Sequence, residues 1–190
     1  VVGSNAMTTT ESLLHAARSG SFNRPDARPH YAPELRLEPV HLDIALSVDL
    51  DARSLEGTVT SRLRANDEGA TSIELDAVDF LALSVEDASG KALRHAYDGA
   101  RLSVVYEQPF ARGEERELRV SYRVERPITG ALFGGPTAAS PDAGRFVLTD
   151  NETERARHWL PCVDQPAVRP TLSFHLRADA ALTILANGRL

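Results

Sequence analysis

The stretch VHLDIALSVDLD, Val40 to Asp51, decides the fold. Val40, Leu42, Ile44, Leu46, Val48 and Leu50 fall on one side of a two-residue period, and His41, Asp43, Ser47, Asp49 and Asp51 on the other. Alternate residues of an extended chain point to opposite faces, so this stretch predicts a strand with one buried and one wet face. The pattern returns at Val59, Ser61, Leu63 and Ala65, set against Thr58, Thr60, Arg62 and Arg64. It returns again at Leu118, Val120, Tyr122 and Val124, and at Leu172, Phe174 and Leu176. Shorter strands are expected at Ser72 to Leu75, Leu81 to Glu86, Leu102 to Tyr106, Phe146 to Thr149 and Thr183 to Ala186.

Turn-forming residues separate these runs: Asp51 to Ser54, Asn66 to Gly69, Ala88 to Gly90, Asp98-Gly99 and Ala111 to Gly113. A parallel sheet would show near-continuous apolar strands with helices between them, and neither is present. The fold class expected is all-β, an antiparallel β-sandwich. Val1 to Ala6 read as vector-derived residues ahead of Met7. Residues 7–36 read as an N-terminal extension, with a short helix at Glu11 to Ala17 and a proline-rich, extended or disordered part from Asn23 to Pro33. Residues 37–190 form the sandwich. The connection ITGALFGGPTAASPDAG, Ile128 to Gly144, is long for a compact domain, which makes it functional or mobile.

Composition narrows the function classes. The 190 residues are 42% hydrophobic, enough for a sizeable core, and carry a formal charge of -6 with acids and bases interspersed. No basic patch points to nucleic acid. No apolar run approaches the ~20 residues that span a membrane. The segment after Met7 lacks the basic start and apolar centre of a secretory signal, and Cys162 stands alone, so a reducing, cytoplasmic setting is expected. His158 and Cys162 are four apart, but Pro161 lies between them and no second pair with ligand spacing follows, so no metal is expected on this chain. His41 and His175 fall on polar strand faces, and His15, His30 and His95 in weakly ordered or turn-like stretches. Cys162, without an evident base, reads as a small buried thiol. The triplet Asn151-Glu152-Thr153 fits a glycosylation acceptor pattern and is read as a chance match.

The segment ETERARHWLPCVDQP, Glu152 to Pro166, remains. Pro161 and Pro166 fix its backbone on both sides, and Asp164 is suited to accept backbone N–H groups. Trp159 and Leu160 would anchor it on the sandwich, so most of the motif is structural. Glu152 differs: it precedes the anchor in a polar context, where a carboxylate at a cleft rim can bind an ammonium group.

This segment resembles the N-terminal domain of zinc aminopeptidases of the aminopeptidase N and leukotriene hydrolase type. There a Glu is followed five residues on by Arg and then by a hydrophobic-Pro-Cys-x-Asp-x-Pro run and a strand. Glu152, Arg157, Leu160, Pro161, Cys162, Asp164 and Pro166 match in type and spacing. Pro39-Val40-His41 resembles the family's opening strand, and Leu55 to Val59 its second. The likeness covers roughly Leu37 to Leu190.

The resemblance implies a saddle-shaped β-sandwich that precedes a thermolysin-like catalytic domain packed against it. That domain carries Gly-x-Met-Glu-Asn and H-E-x-x-H, neither of which occurs here. The zinc would then belong to the full-length parent, and this fragment alone would bind none and be inactive. The resemblance also implies that Glu152 pairs with the free N-terminal amine of a peptide substrate. Asp150 stands where the family usually has a Gln lining the first side-chain pocket. Arg157, Pro161, Asp164 and Pro166 would form the structural motif. Two alternatives stay open: a non-catalytic scaffold from the same family, and a carbohydrate- or adhesion-type sandwich. Against the last stands an aromatic content of only 6%, since sugar-binding faces need exposed rings.

Overall fold

The alternation that opens at Val40 builds β1 (Leu37–Asp49), in which Leu37, Leu42, Ile44 and Leu46 are buried. The computed structural model describes residues 34–189; the expected helix at Glu11 to Ala17 and the proline-rich stretch Asn23 to Pro33 lie outside them. Among the described residues β1 is followed by β2 (Ser54–Ala65), β3 (Ala70–Asp76), β4 (Leu81–Asp87), β5 (Arg94–Tyr97) and β6 (Arg101–Phe110). Then come β7 (Glu115–Glu125), β8 (Ala131–Gly134), β9 (Phe146–Thr149) and β10 (Thr171–Arg177).

Five strands form one sheet in the order β10-β1-β2-β7-β4, and three form a second in the order β3-β6-β5. β8 and β9 pair as a separate ribbon. The register aligns the apolar faces: Ile44 lies opposite Val59, and Val59 opposite Val120. Leu75, Leu102 and Val104 of the second sheet join these residues in a single buried cluster. Each such side chain removed from water is worth about 1.5–3 kcal/mol, so the shared cluster is what holds the two sheets together. Gly57 marks the tightest approach. A Cβ built there would lie 1.9 Å from the carbonyl oxygen of Ala45 on the neighbouring strand.

The all-β expectation is met, with four differences in detail. β10 pairs with β1 in parallel, His41 opposite Thr171 and Ile44 opposite Phe174. A strand entering at a sheet edge can run either way, because alternation fixes its faces and not its direction. Thr183 to Ala186 is not a strand; these residues make no ladder. His95, expected in a turn-like stretch, lies in β5, where Arg94 to Tyr97 pair with Leu102 to Val105. The long connection after Pro127 contains β8, which turns back on β9 so that Leu132 faces Leu148 and Gly134 faces Phe146.

Candidate functional site

β9 ends at Thr149, and the next backbone N–H, of Asp150, donates to the Gly130 carbonyl at 2.8 Å. That bond ties the start of the motif to the base of the ribbon. Gly130 has φ +78°, and a Cβ there would lie 2.2 Å from the Arg155 carbonyl oxygen, so only glycine fits. From Asp150 the chain makes a largely exposed turn to Arg155 and a 3-10 turn at Ala156–His158, then descends to Trp159, Leu160, Pro161 and Cys162, all buried.

The descent is pinned from three sides. Asp76 and Cys162 exchange backbone hydrogen bonds at 2.7 and 3.2 Å, and Val78 N–H donates to the Arg157 carbonyl at 2.8 Å. From β7, the buried Tyr122 hydroxyl donates to the Trp159 carbonyl at 2.8 Å. The Trp159 indole N–H in turn donates to Asn151 Oδ1 at 2.9 Å. The Cys162 thiol is free and buried, and burial pushes its pKa up, away from the thiolate form.

Arg157 is the hub of the polar side. Its backbone N–H and its Nε both donate to Asp164 Oδ2, at 3.1 and 3.0 Å. Nη1 faces Asp76 Oδ1 at 3.3 Å and Nη2 faces Glu154 Oε2 at 3.5 Å. Asp164 N–H closes the ring on Asp76 Oδ2 at 3.0 Å. Burial alone would lower the Arg157 pKa; the Asp164 hydrogen bond and the charges of Asp76, Asp164 and Glu154 outweigh it and leave a net rise. Pro166, at the far end of the motif, is exposed and accepts a hydrogen bond from Arg169 Nε at 3.2 Å.

The two acids ahead of the hub sit differently. Asp150 is engaged: Oδ2 accepts from Arg155 Nη1 at 3.0 Å and Oδ1 from the Glu152 backbone N–H at 3.3 Å. Glu152 is exposed, and its carboxylate has no hydrogen bond or ion pair among the described residues. A matched acid next to an unmatched one leaves Glu152 as the group with charge to offer a ligand.

Beside this turn lies an apolar face. Leu132, Phe146 and Leu148 share one side of the ribbon and are 43%, 50% and 57% exposed, and Ile128 just before β8 is 80% exposed. Phe133 and Val147, on the other side, pack on the core. These side chains leave an apolar strip open to solvent on a ribbon whose opposite face is already covered. No group of three or more His, Cys, Asp or Glu side chains among the described residues is arranged to hold a metal ion. A cleft of about 540 Å³ involves Arg62, Lys91, Tyr106 and Glu117 and none of the motif residues.

Reading the sequence did not assign Asp76, Asn151, Glu154 or Tyr122 to this site. Asp76 is 88 residues from Asp164 and carries no local signal. Glu154 sits three residues before Arg157, a spacing that could have flagged it. Tyr122 lies on the buried face of β7, where a phenol needs a partner, and that need was the available clue.

The family described as the peptidase M1 N-terminal domain matches residues 38–190. Aminopeptidase B of Mus musculus is 29% identical over 154 residues, 72% of this chain and 23% of that protein. Leucine aminopeptidase 2 of Candida albicans is 23% identical over 159 residues, 81% of this chain and 24% of that protein. The chain thus spans about a quarter of the length of these two relatives. Among solved structures, native yeast LTA4 hydrolase superposes with a TM-score of 0.67 at 21% identity, covering 82% of this chain and 26% of that one. An M1 zinc metallopeptidase from Deinococcus radiodurans gives 0.60 at 22% identity, covering 76% and 33%. At these identities the superpositions speak for the fold.

Proposed function

Because the chain belongs to the M1 peptidase family, as its N-terminal domain, we propose that it forms the substrate-binding part of a zinc-dependent aminopeptidase that removes N-terminal residues from peptides. The observation that carries this reading is the unmatched, exposed Glu152 carboxylate on a turn where the side chains of Asp150, Asn151 and Glu154 are engaged. An ammonium group meeting it would form a charge-assisted hydrogen bond. Anchoring the charged terminus of a peptide fixes the first peptide bond at a constant distance from the anchor, which selects the terminal residue and lowers the entropic cost of reaching the reactive geometry.

Asp150 would border the same pocket, with Arg155 already neutralising much of its charge. The apolar ribbon face at Leu132, Phe146 and Leu148 would be the seat of the catalytic domain, which would also hold the zinc. Zinc would supply Lewis-acid chemistry there; the residues of this chain bind and orient. A single free, buried cysteine accords with a cytoplasmic setting for the whole protein.

The test is steady-state kinetics of the whole protein on aminoacyl arylamides. Wild type is expected to turn them over and to stop when a chelator strips the metal. Glu152→Ala should lower kcat/KM by about a hundredfold, the scale of a lost charged positioning contact. A whole protein with no activity on any free-amine substrate would replace this reading with the scaffold alternative.

A further inference from the structure

We propose that Asn151 and Glu154 are positioning residues that hold, from either side, the turn presenting the Glu152 carboxylate; this rests on the reading of Glu152 as the amine anchor. Glu152 has no side-chain partner of its own among the described residues, so its neighbours must set its direction. On one side, Asn151 Oδ1 accepts from the buried Trp159 indole at 2.9 Å, and the Asn151 carbonyl accepts from Arg155 N–H at 3.3 Å. The amide oxygen therefore fixes the residue before Glu152 to the core, and the backbone bond closes the turn.

On the other side, Glu154 has φ +57°, a left-handed conformation that residues with a side chain seldom adopt. Such a conformation persists where surrounding contacts over-determine it. Two contacts do so here. Glu154 Oε1 accepts from Gln165 Nε2 at 3.3 Å, and Oε2 faces Arg157 Nη2 at 3.5 Å. Arg157 reaches Asp76 at the end of β3, so the turn is braced against the second sheet. A carboxylate on a braced turn loses less conformational freedom when a ligand arrives, and binds correspondingly tighter.

The test is a mutant cycle in the full-length enzyme with a free-amine arylamide substrate. Glu154→Ala and Asn151→Ala should each raise KM about tenfold while kcat stays within about twofold. Glu154→Gln keeps groups that can bond Gln165 and Arg157 and should recover most of the lost affinity. Glu154→Gly removes the carboxylate yet suits the left-handed backbone; it should fold normally and still raise KM, which keeps the test decisive if the alanine variant is unstable. In a Glu152→Ala background none of these changes should raise KM further, because their effect passes through Glu152.

If Glu152→Ala raises KM but the Asn151 and Glu154 variants leave it unchanged, or raise it equally without Glu152, the positioning role is wrong and the amine reading stands. If Glu152→Ala itself leaves KM unchanged, the amine reading fails and this inference falls with it.

Discussion

The Trp159 indole N–H donates to Asn151 Oδ1 at 2.9 Å, so the chain's one tryptophan fixes the residue that immediately precedes Glu152. Trp159 is itself held by the core and by the Tyr122 hydroxyl. Sheet, anchor and the residue before the exposed Glu152 carboxylate are thereby linked through two hydrogen bonds.

Tyr122→Phe tests the first link. The change keeps the ring stacked on Phe80, 4.7 Å between centroids, and removes only the hydroxyl from the Trp159 carbonyl. A buried carbonyl left unpaired costs about 1–3 kcal/mol. Thermal unfolding should show Tm lowered by several degrees with the native β signal intact.

Arg157→Ala removes the hub from three carboxylates, of which the Asp164 side chain is only 11% exposed. Breaking a partly buried pair from one side leaves an uncompensated charge, and a loss of about 3 kcal/mol is expected in urea unfolding. Arg157→Lys should recover only part of it, since an ammonium cannot span Asp164, Asp76 and Glu154 as the guanidinium fork does.

His158 gives the protein a pH dependence of defined sign. Burial, and then the neighbouring Arg157 charge, push its pKa below the ordinary 6.5, against smaller opposing effects of Asp79 and Asp164. The unfolded chain takes up a proton near 6.5 while the folded one does not, so this contribution is complete above 6.5 and is lost as pH falls toward the folded value. His158→Gln should flatten the fall in stability as pH drops below 6.5. A slope equal to wild type would contradict the assignment.

Gly57→Ala places a methyl group 1.9 Å from the Ala45 carbonyl, in the middle of the β1–β2 ladder. The nearest atoms are all backbone of β1, with nothing flexible to yield, and a loss of about 3 kcal/mol, or failure to fold, is expected from overpacking of this kind. Soluble yield and unfolding midpoint report it.

Strands with a buried side were legible because burial imposes the two-residue period: Ile44, Val59 and Val120 announce their faces in the sequence and meet in the structure. β5 was not, because three of its four residues are exposed and nothing selects them by polarity. β8 was hidden in a glycine-rich connection and is a strand only because β9 returns to pair with it. Thr183 to Ala186 shows the converse: apolar residues in an extended run become a strand only with a partner. At the candidate site, Glu152 and Asp164 stood out from their sequence context, and Arg157 only through the family resemblance. Asp76 was not, since its place beside Arg157 is a product of the whole topology. Nor could spacing tell that Asp150 is matched by Arg155 while Glu152 is left unmatched.

The central claim is that Glu152 recognises a free amine, and one comparison of inhibitors tests it most directly. The inhibition constants of a peptide analogue and of its N-acetylated form would be measured on the wild-type full-length enzyme and on Glu152→Gln. The account predicts that acetylation weakens binding to wild type by about a hundredfold and to Glu152→Gln by only a fewfold, because the charged partner of the amine is gone. An equal penalty in both proteins would mean that some other group holds the amine, and would contradict the account.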